Sequence, residues 1–505
     1  MAETAKAAPG LSVRGAGILL AVSSLPSPYG IGSFGEAALR WIDFLKDAGQ
    51  RYWQILPLGP TGWGDSPYQS FSAFALSPYY IDLDELCRAG LLRREDIEGV
   101  PFGRRPGRVN YASLYRYREK VLRLAFERFR TGKAGIGAFN DFCGEQSSWL
   151  ADYSLFMAVK RRRGGKPWLE WETGLRFRNE KALALAGKKY ADDVLFHSFV
   201  QYTACTQWRR VKEYANRAGV SVIGDMPIYV SLDSADTWAN SDRFQLDGER
   251  RPLRVAGCPP DPFAAGGQLW GNPLYRWDLL EKEDFKWWIE RLRFNFSLFD
   301  VVRIDHFRGF ESYFSIPADA HDARGGEWVK GPGAGFINAV NRALPGVRII
   351  AEDLGYLTGE VRSLLRVSGY PGMKVLQFAF DSRESANYMP YTYEKNSVVY
   401  TGTHDNTTCQ GWFKNANPED VNLAKEYFGI KNTKEGHWAF IRCALSAVAD
   451  LAVIPLQDYL GLGDEGRMNT PSTQGGNWQW RMKDGDAAAE LAAKIKRLTV
   501  LYGRA

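Results

Sequence analysis

Cysteine and histidine are scarce, six and five among 505 residues. Cys87, Cys143, Cys205, Cys258, Cys409 and Cys443 are scattered with no C-x-x-C pair, the usage of reduced thiols rather than of a disulfide framework. No two histidines stand at H-x-x-x-H spacing, and none pairs with cysteine at zinc spacing, so neither a structural metal nor a cofactor is expected. Charge of one sign is also short: 64 Lys+Arg against 58 Asp+Glu leave +6, and the densest basic run is Arg161-Arg162-Arg163. A nucleic-acid partner is not expected from that balance. Apolar runs such as 17–22 end far short of the ~20 residues that cross a bilayer, so no membrane segment is expected either. The first ten residues hold one Lys, one Glu and no apolar stretch, unlike a secretory signal. The expected compartment is the cytoplasm, or a plastid if the host is photosynthetic and a transit peptide has been removed.

What is present is ordinary for a globular chain, 45% apolar and 24% charged. Eight short apolar runs recur, at 17–25, 51–58, 220–230, 300–307, 347–354, 372–380, 397–405 and 449–457. Continuous rather than alternating apolar character marks strands buried on both faces, as in a parallel sheet. Helical patterns lie between several of them: Ala38, Trp41, Ile42, Leu45 and Ala48 share one face and stop at Gly49. The expected fold is therefore α/β, a (β/α)8 barrel. The second and third runs are too far apart for one crossover, and 84–219 reads as a large, mainly helical insertion. The loop 461–477 and a closing helix at 486–501 complete the chain.

Gly30-Ile-Gly32-Ser-Phe-Gly35 matches G-x-G-x-x-G, but Pro26 and Pro28 intervene where the turn should be tight, and the next strand lacks an acid for ribose. More informative are ionisable residues at the C-terminal ends of the buried runs, where a barrel builds its active site: Asp225; Arg303, Asp305 and His306; Glu352 and Asp353; His404 and Asp405. Any one acid could be a satisfied ion pair, and Arg303 lies on the same strand face as Asp305. Several acids converging on one barrel mouth repel each other and ask for a function. Carboxylates without a metal cluster or a Ser or Cys elbow suggest glycoside chemistry. Trp63, Tyr68 and Trp270 in Gly/Pro-rich loops suit a sugar face, whereas Trp41, Trp287 and Trp288 follow helical spacing and read as core.

The strings Asp300-Val-Val-Arg303-Ile-Asp305-His306, Ile350-Ala-Glu352-Asp353 and Gly402-Thr-His404-Asp405-Asn406 resemble the α-amylase clan. Segments 60–74, 257–263, 268–275, 372–381 and 477–481 narrow the resemblance to the 4-α-glucanotransferases, also called amylomaltases or disproportionating enzymes. It runs from about residue 15 to 500 and implies one catalytic barrel spanning 1–505, with a covering loop at 257–275. It further implies Asp305 as nucleophile, Glu352 as general acid and then base, and Asp405 as a third acid that steadies the transition state. Asp65, Ser66, Tyr68, Asp225, Asp261, Trp270, Arg303, His306, Asp381 and His404 would bind substrate. The implied activity transfers α-1,4-glucan segments between maltooligosaccharides or starch and glycogen fragments, through a covalent intermediate on Asp305, by a monomer or homodimer. An α-amylase-type hydrolase is the nearest alternative, and a catalytically idle glucan-binding protein is the alternative from another class.

Overall fold

The computed structural model describes residues 14–62, 64–103, 105–132, 135–260, 265–355, 357–381 and 388–505. Each of the eight apolar runs supplies one barrel strand: β1 Gly15–Leu19, β2 Tyr52–Gln54, β3 Ser221–Met226, β4 Val301–Ile304, β5 Ile349–Ala351, β6 Gly372–Val375, β7 Ser397–Tyr400 and β8 Leu451–Pro455. They are parallel and neighbours in chain order, and β8 pairs back onto β1 from Gly15↔Leu451 to Leu19↔Pro455. The strands are shorter than the runs that encode them because the C-terminal part of each run leaves the ladder. After β6, for example, Leu376–Phe380 turns into a 3-10 helix. Those departing ends form the barrel mouth.

Close strand approach has a sequence cause. A Cβ on Gly17 would meet the Tyr52 Cβ at 2.6 Å and the Tyr52 carbonyl oxygen at 2.7 Å, so β1 and β2 can pack as they do only with glycine there. At the opposite rim two arginines gather carbonyls at the β1/β8 seam. Arg504 donates to Leu445 O at 2.7 Å, Gly15 O at 2.9 Å, Ala447 O at 2.8 Å and Ala449 O at 2.9 Å. Arg14 donates to Ala447 O at 2.8 Å and Leu445 O at 3.0 Å.

Between β2 and β3 the chain is mainly helical, with Tyr111–Thr131, Ile136–Glu145, Leu150–Arg162, Glu180–Lys189 and Ala191–Arg217 as its longer helices. The last of these also serves as the crossover onto β3. Its Trp208 is fully buried among Phe34, Trp53 and Phe299 and donates from Nε1 to Leu298 O at 3.0 Å. Trp41, Trp287 and Trp288 are core residues, as their spacing indicates.

The 257–275 segment, read from sequence as a loop, is in its described part a β-hairpin. Arg254–Cys258 pairs antiparallel with Gln268–Pro273 and, on its other edge, with Ser312–Pro317, which in turn pairs with Glu327–Lys330. The glycines that suggested a loop are what admit the hairpin: a Cβ on Gly257 would lie 2.1 Å from Gln268 O.

Candidate active site

The centre of the barrel mouth is assembled by strand register. Asp225 on β3 stands beside Arg303 on β4, and the Arg303 Nη1 atom lies 2.6 Å from Asp225 Oδ1 and 3.0 Å from Asp305 Oδ1. The guanidinium is buried, a position tolerable only with such partners. The ladder continues one residue past the strands, the Asp305 N–H donating to Met226 O and the Glu352 N–H to Ile304 O, both at 3.0 Å. Two acids from adjacent strands are thereby fixed through their own backbones.

His306 follows Asp305 with φ of +52°, a left-handed conformation uncommon outside glycine. That turn aims the His306 N–H at Glu352 Oε2, 2.7 Å away, while the Leu354 N–H donates to Oε1 at 2.9 Å. Glu352 is thus held by two amides and no salt bridge among the described residues. Burial raises its pKa, the charge of Asp305 raises it further, and Arg303 and the two amides oppose the shift less strongly. Burial also raises Asp305, with the Arg303 charge as the leading counterweight. Of the two, Glu352 is the one set to keep its proton.

The third acid comes from the loop after β7. Asp405 has a half-exposed side chain whose Oδ1 lies 3.4 Å from His404 Nε2 and accepts from Asn469 Nδ2 at 2.7 Å. Arg467 donates to the Asp405 carbonyl at 2.9 Å. Tyr68, from the loop after β2, links the two sides of the mouth. Its hydroxyl donates to Asp225 Oδ2 at 2.7 Å and lies 2.9 Å from His404 Nε2, with the two rings stacked at 5.2 Å. Asp225, Arg303, Asp305, Glu352, His404, Asp405 and Tyr68 therefore form one connected group. Asp225 is buried, and both of its carboxylate oxygens are engaged by Tyr68 and Arg303, so its visible work is to hold those two side chains.

Trp270, on the hairpin, stands perpendicular to the His306 ring at 4.9 Å and lies beside Tyr229. Burial lowers the His306 pKa to about 4, leaving a neutral ring whose Nε2 has no hydrogen-bond partner among the described residues. Ser66 accepts from the Tyr68 N–H at 3.3 Å. Asp65 has φ of +60° and is pushed up to about 6 by burial; its field acts on Tyr79 and Tyr111. Asp381 lies just beyond the Leu376–Phe380 turn and is partly buried. Asp261 and Trp63 lie outside the described residues. Among the described residues no three His, Cys, Asp or Glu side chains gather as a metal-ion site.

Sequence reasoning missed Asn469 and Arg467, which hold Asp405, and Gln69, which donates to Asn272 Oδ1 at 3.1 Å and to the Trp270 carbonyl at 3.4 Å. The position of 467–469 just beyond the eighth strand was the available signal.

The chain matches the sequence profile of a family described as 4-alpha-glucanotransferase over residues 20–487. It is 46% identical over 485 residues to a 4-alpha-glucanotransferase of Clostridium butyricum, covering 96% of this chain and 99% of that one. A Thermus thermophilus 4-alpha-glucanotransferase is 47% identical over 494 residues, covering 96% and 98%. Among solved structures, an amylomaltase from Streptococcus agalactiae in complex with acarbose superimposes with a TM-score of 0.95 at 39% identity, covering 97% of this chain and 99% of that one.

Proposed function

The chain belongs to the 4-alpha-glucanotransferase family, and from that premise we propose that Asp305, Glu352 and Asp405 carry out a retaining transfer of α-1,4-glucan segments. The observation that supports these roles is the contrast between two neighbouring carboxyls. Asp305 shares a guanidinium with Asp225, whereas Glu352 is buried against backbone amides. Burial raises both, but the Arg303 charge is the leading counterweight at Asp305, while at Glu352 the Asp305 charge adds to the rise, so Asp305 is the ionised partner and Glu352 the protonated one.

In the first step the Asp305 carboxylate attacks the anomeric carbon. The C1–O4 bond breaks, and the Glu352 proton goes to the departing oxygen. Ester formation removes the Asp305 charge, which is the second-largest influence keeping Glu352 protonated. Glu352 therefore becomes more acidic at the moment it must act as a base. The 4-hydroxyl of an acceptor glucan then gives its proton to Glu352, its oxygen bonds to C1, and the ester to Asp305 breaks. Asp405, steadied by Asn469, faces the sugar hydroxyls with His404 and supports the charge that develops on the ring.

Donor and acceptor are maltooligosaccharides or fragments of starch or glycogen, flanked by Trp270 and the unpartnered His306 Nε2; Asp65, Ser66, Asp261 and Asp381 contribute further contacts. The 84–219 insertion belongs to the same catalytic unit. We read the protein as a monomer or homodimer of the cytoplasm, or of a plastid in a photosynthetic host; its cysteine usage supports a reducing compartment, and among the described residues no helix is long and apolar enough to cross a membrane.

Incubation with maltotriose tests the reading. Longer maltooligosaccharides together with glucose are expected. Shorter sugars alone, with rising reducing ends, would mean that water takes the acceptor's place, and undiminished turnover by Asp305→Asn would remove the nucleophile from the scheme.

A further inference from the structure

The loop that delivers His404 and Asp405 is tied at both of its ends to a single carboxylate. Asp458, on the short helix Leu456–Tyr459 after β8, accepts from the Thr401 hydroxyl at 2.6 Å through Oδ2 and from the Cys409 N–H at 2.7 Å through Oδ1. Thr401, Cys409 and Asp458 are all essentially inaccessible to solvent. Burial opposes the Asp458 charge, and the groups that support it are dipoles only: the Cys409 N–H, the Thr401 hydroxyl and the Cys409 thiol. A buried carboxyl without a cation is costly, and every one of these donors lies at an end of the segment 401–409.

Between those ends the loop is pinned at single points. The Thr407 carbonyl accepts from Gln377 Nε2 at 2.8 Å, and the Thr407 hydroxyl donates to Asp464 at 2.8 Å. The His404 carbonyl accepts from the Asn469 N–H at 3.1 Å. A small open pocket of about 20 Å³ adjoins the loop, lined by Thr403, His404, Gln457 and Asp458 among others. Asn469 and Arg467 hold Asp405 directly, at its side chain and its carbonyl, and the clasp at the base joins the two ends of the segment that carries it.

We propose that Asp458 is a positioning residue for the reaction: by holding Thr401 and Cys409 together it sets the height at which His404 and Asp405 meet the sugar. This rests on the reading of Asp405 as the third acid. Displacing a reacting group by about 1 Å costs on the order of 100-fold in rate, so the clasp would control turnover without touching substrate.

The test compares Asp458→Ala, Asp458→Asn and Thr401→Val on maltotriose, at a temperature where circular dichroism shows each fully folded, with Asp405→Asn as reference. Asp458→Ala removes both links and should lower kcat about 100-fold while KM moves far less. Asp458→Asn can still accept from the Cys409 N–H and donate to the Thr401 hydroxyl, and should recover most of that loss. Thr401→Val removes one link at constant shape and should fall between them, so the test stands even if Asp458→Ala does not fold. Wild-type kcat in Asp458→Ala or, should that variant not fold, in Thr401→Val, accompanied only by a lower Tm, would reduce Asp458 to a structural residue. Undiminished kcat in Asp405→Asn would instead overturn the reading on which the proposal rests.

Discussion

The Tyr68 hydroxyl donates to the Asp225 carboxylate across 2.7 Å, joining the loop after β2 to the end of β3. The same oxygen lies 2.9 Å from His404 Nε2, so one phenol braces both flanks of the mouth. Tyr68→Phe keeps the stacked ring and deletes both contacts. A hydrogen bond to a charged group contributes about 1.5–3 kcal/mol to stability, so Tm should fall as the buried Asp225 oxygen loses its partner, and kcat/KM should fall by about 10- to 100-fold. Unaltered kcat/KM would mean that the brace is incidental.

Asp225→Ala should act on stability as well as activity. It leaves the buried Arg303 with Asp305 as its remaining ion-pair partner. Removing one partner of a buried pair costs up to about 3–5 kcal/mol when the other is left uncompensated; with Asp305 still in place the loss should be smaller, and denaturant unfolding would register it as a lower midpoint at unchanged slope. Activity should fall with it, because Arg303 and Tyr68 both lose their anchor.

The pH dependence follows from the two raised carboxyls. The proposed mechanism needs Asp305 ionised and Glu352 protonated. Because Asp305 lies above its ordinary value, the acid limb of kcat/KM should appear above the usual aspartate range as pH rises. Because Glu352 also lies high, activity should be lost only above the ordinary glutamate range. In Asp305→Asn the charge that helps hold the Glu352 proton is gone, so carboxyl carbon NMR should find Glu352 titrating at lower pH than in the wild type. A Glu352 titration unmoved by that substitution would disconnect the two acids.

Trp270→Ala should leave Tm nearly unchanged, since the side chain is partly exposed on a hairpin edge. Its loss opens the side of the site next to His306 and should admit water during the lifetime of the proposed intermediate. The ratio of new reducing ends to longer maltooligosaccharides formed from maltotriose should rise.

Most of the barrel was legible in the sequence because burial on both faces leaves an unbroken apolar signature, and each such run became a strand. The connected acids were legible for the same reason: an ionisable group within such a run stands out. The hairpin within 254–273 was not, since Gly257 and Gly271 break the alternation that marks a strand, although Gly257 is required by the close Gln268 carbonyl. Nor were Asn469 and Asp458, whose significance lies in partners 64 and 57 residues away. Local pattern carries no record of such meetings.

The pairing of β1 with β8 brings Gly15 beside Leu451, so the barrel has no edge only when both termini of the domain are in place. Asp458, Arg467 and Asn469 all follow that final strand. A chain emerging from the ribosome therefore carries Asp305 and Glu352 long before it can ring them into a cleft, and the ability to cut and rejoin a polymer should switch on only once β8 and the segment behind it have been made.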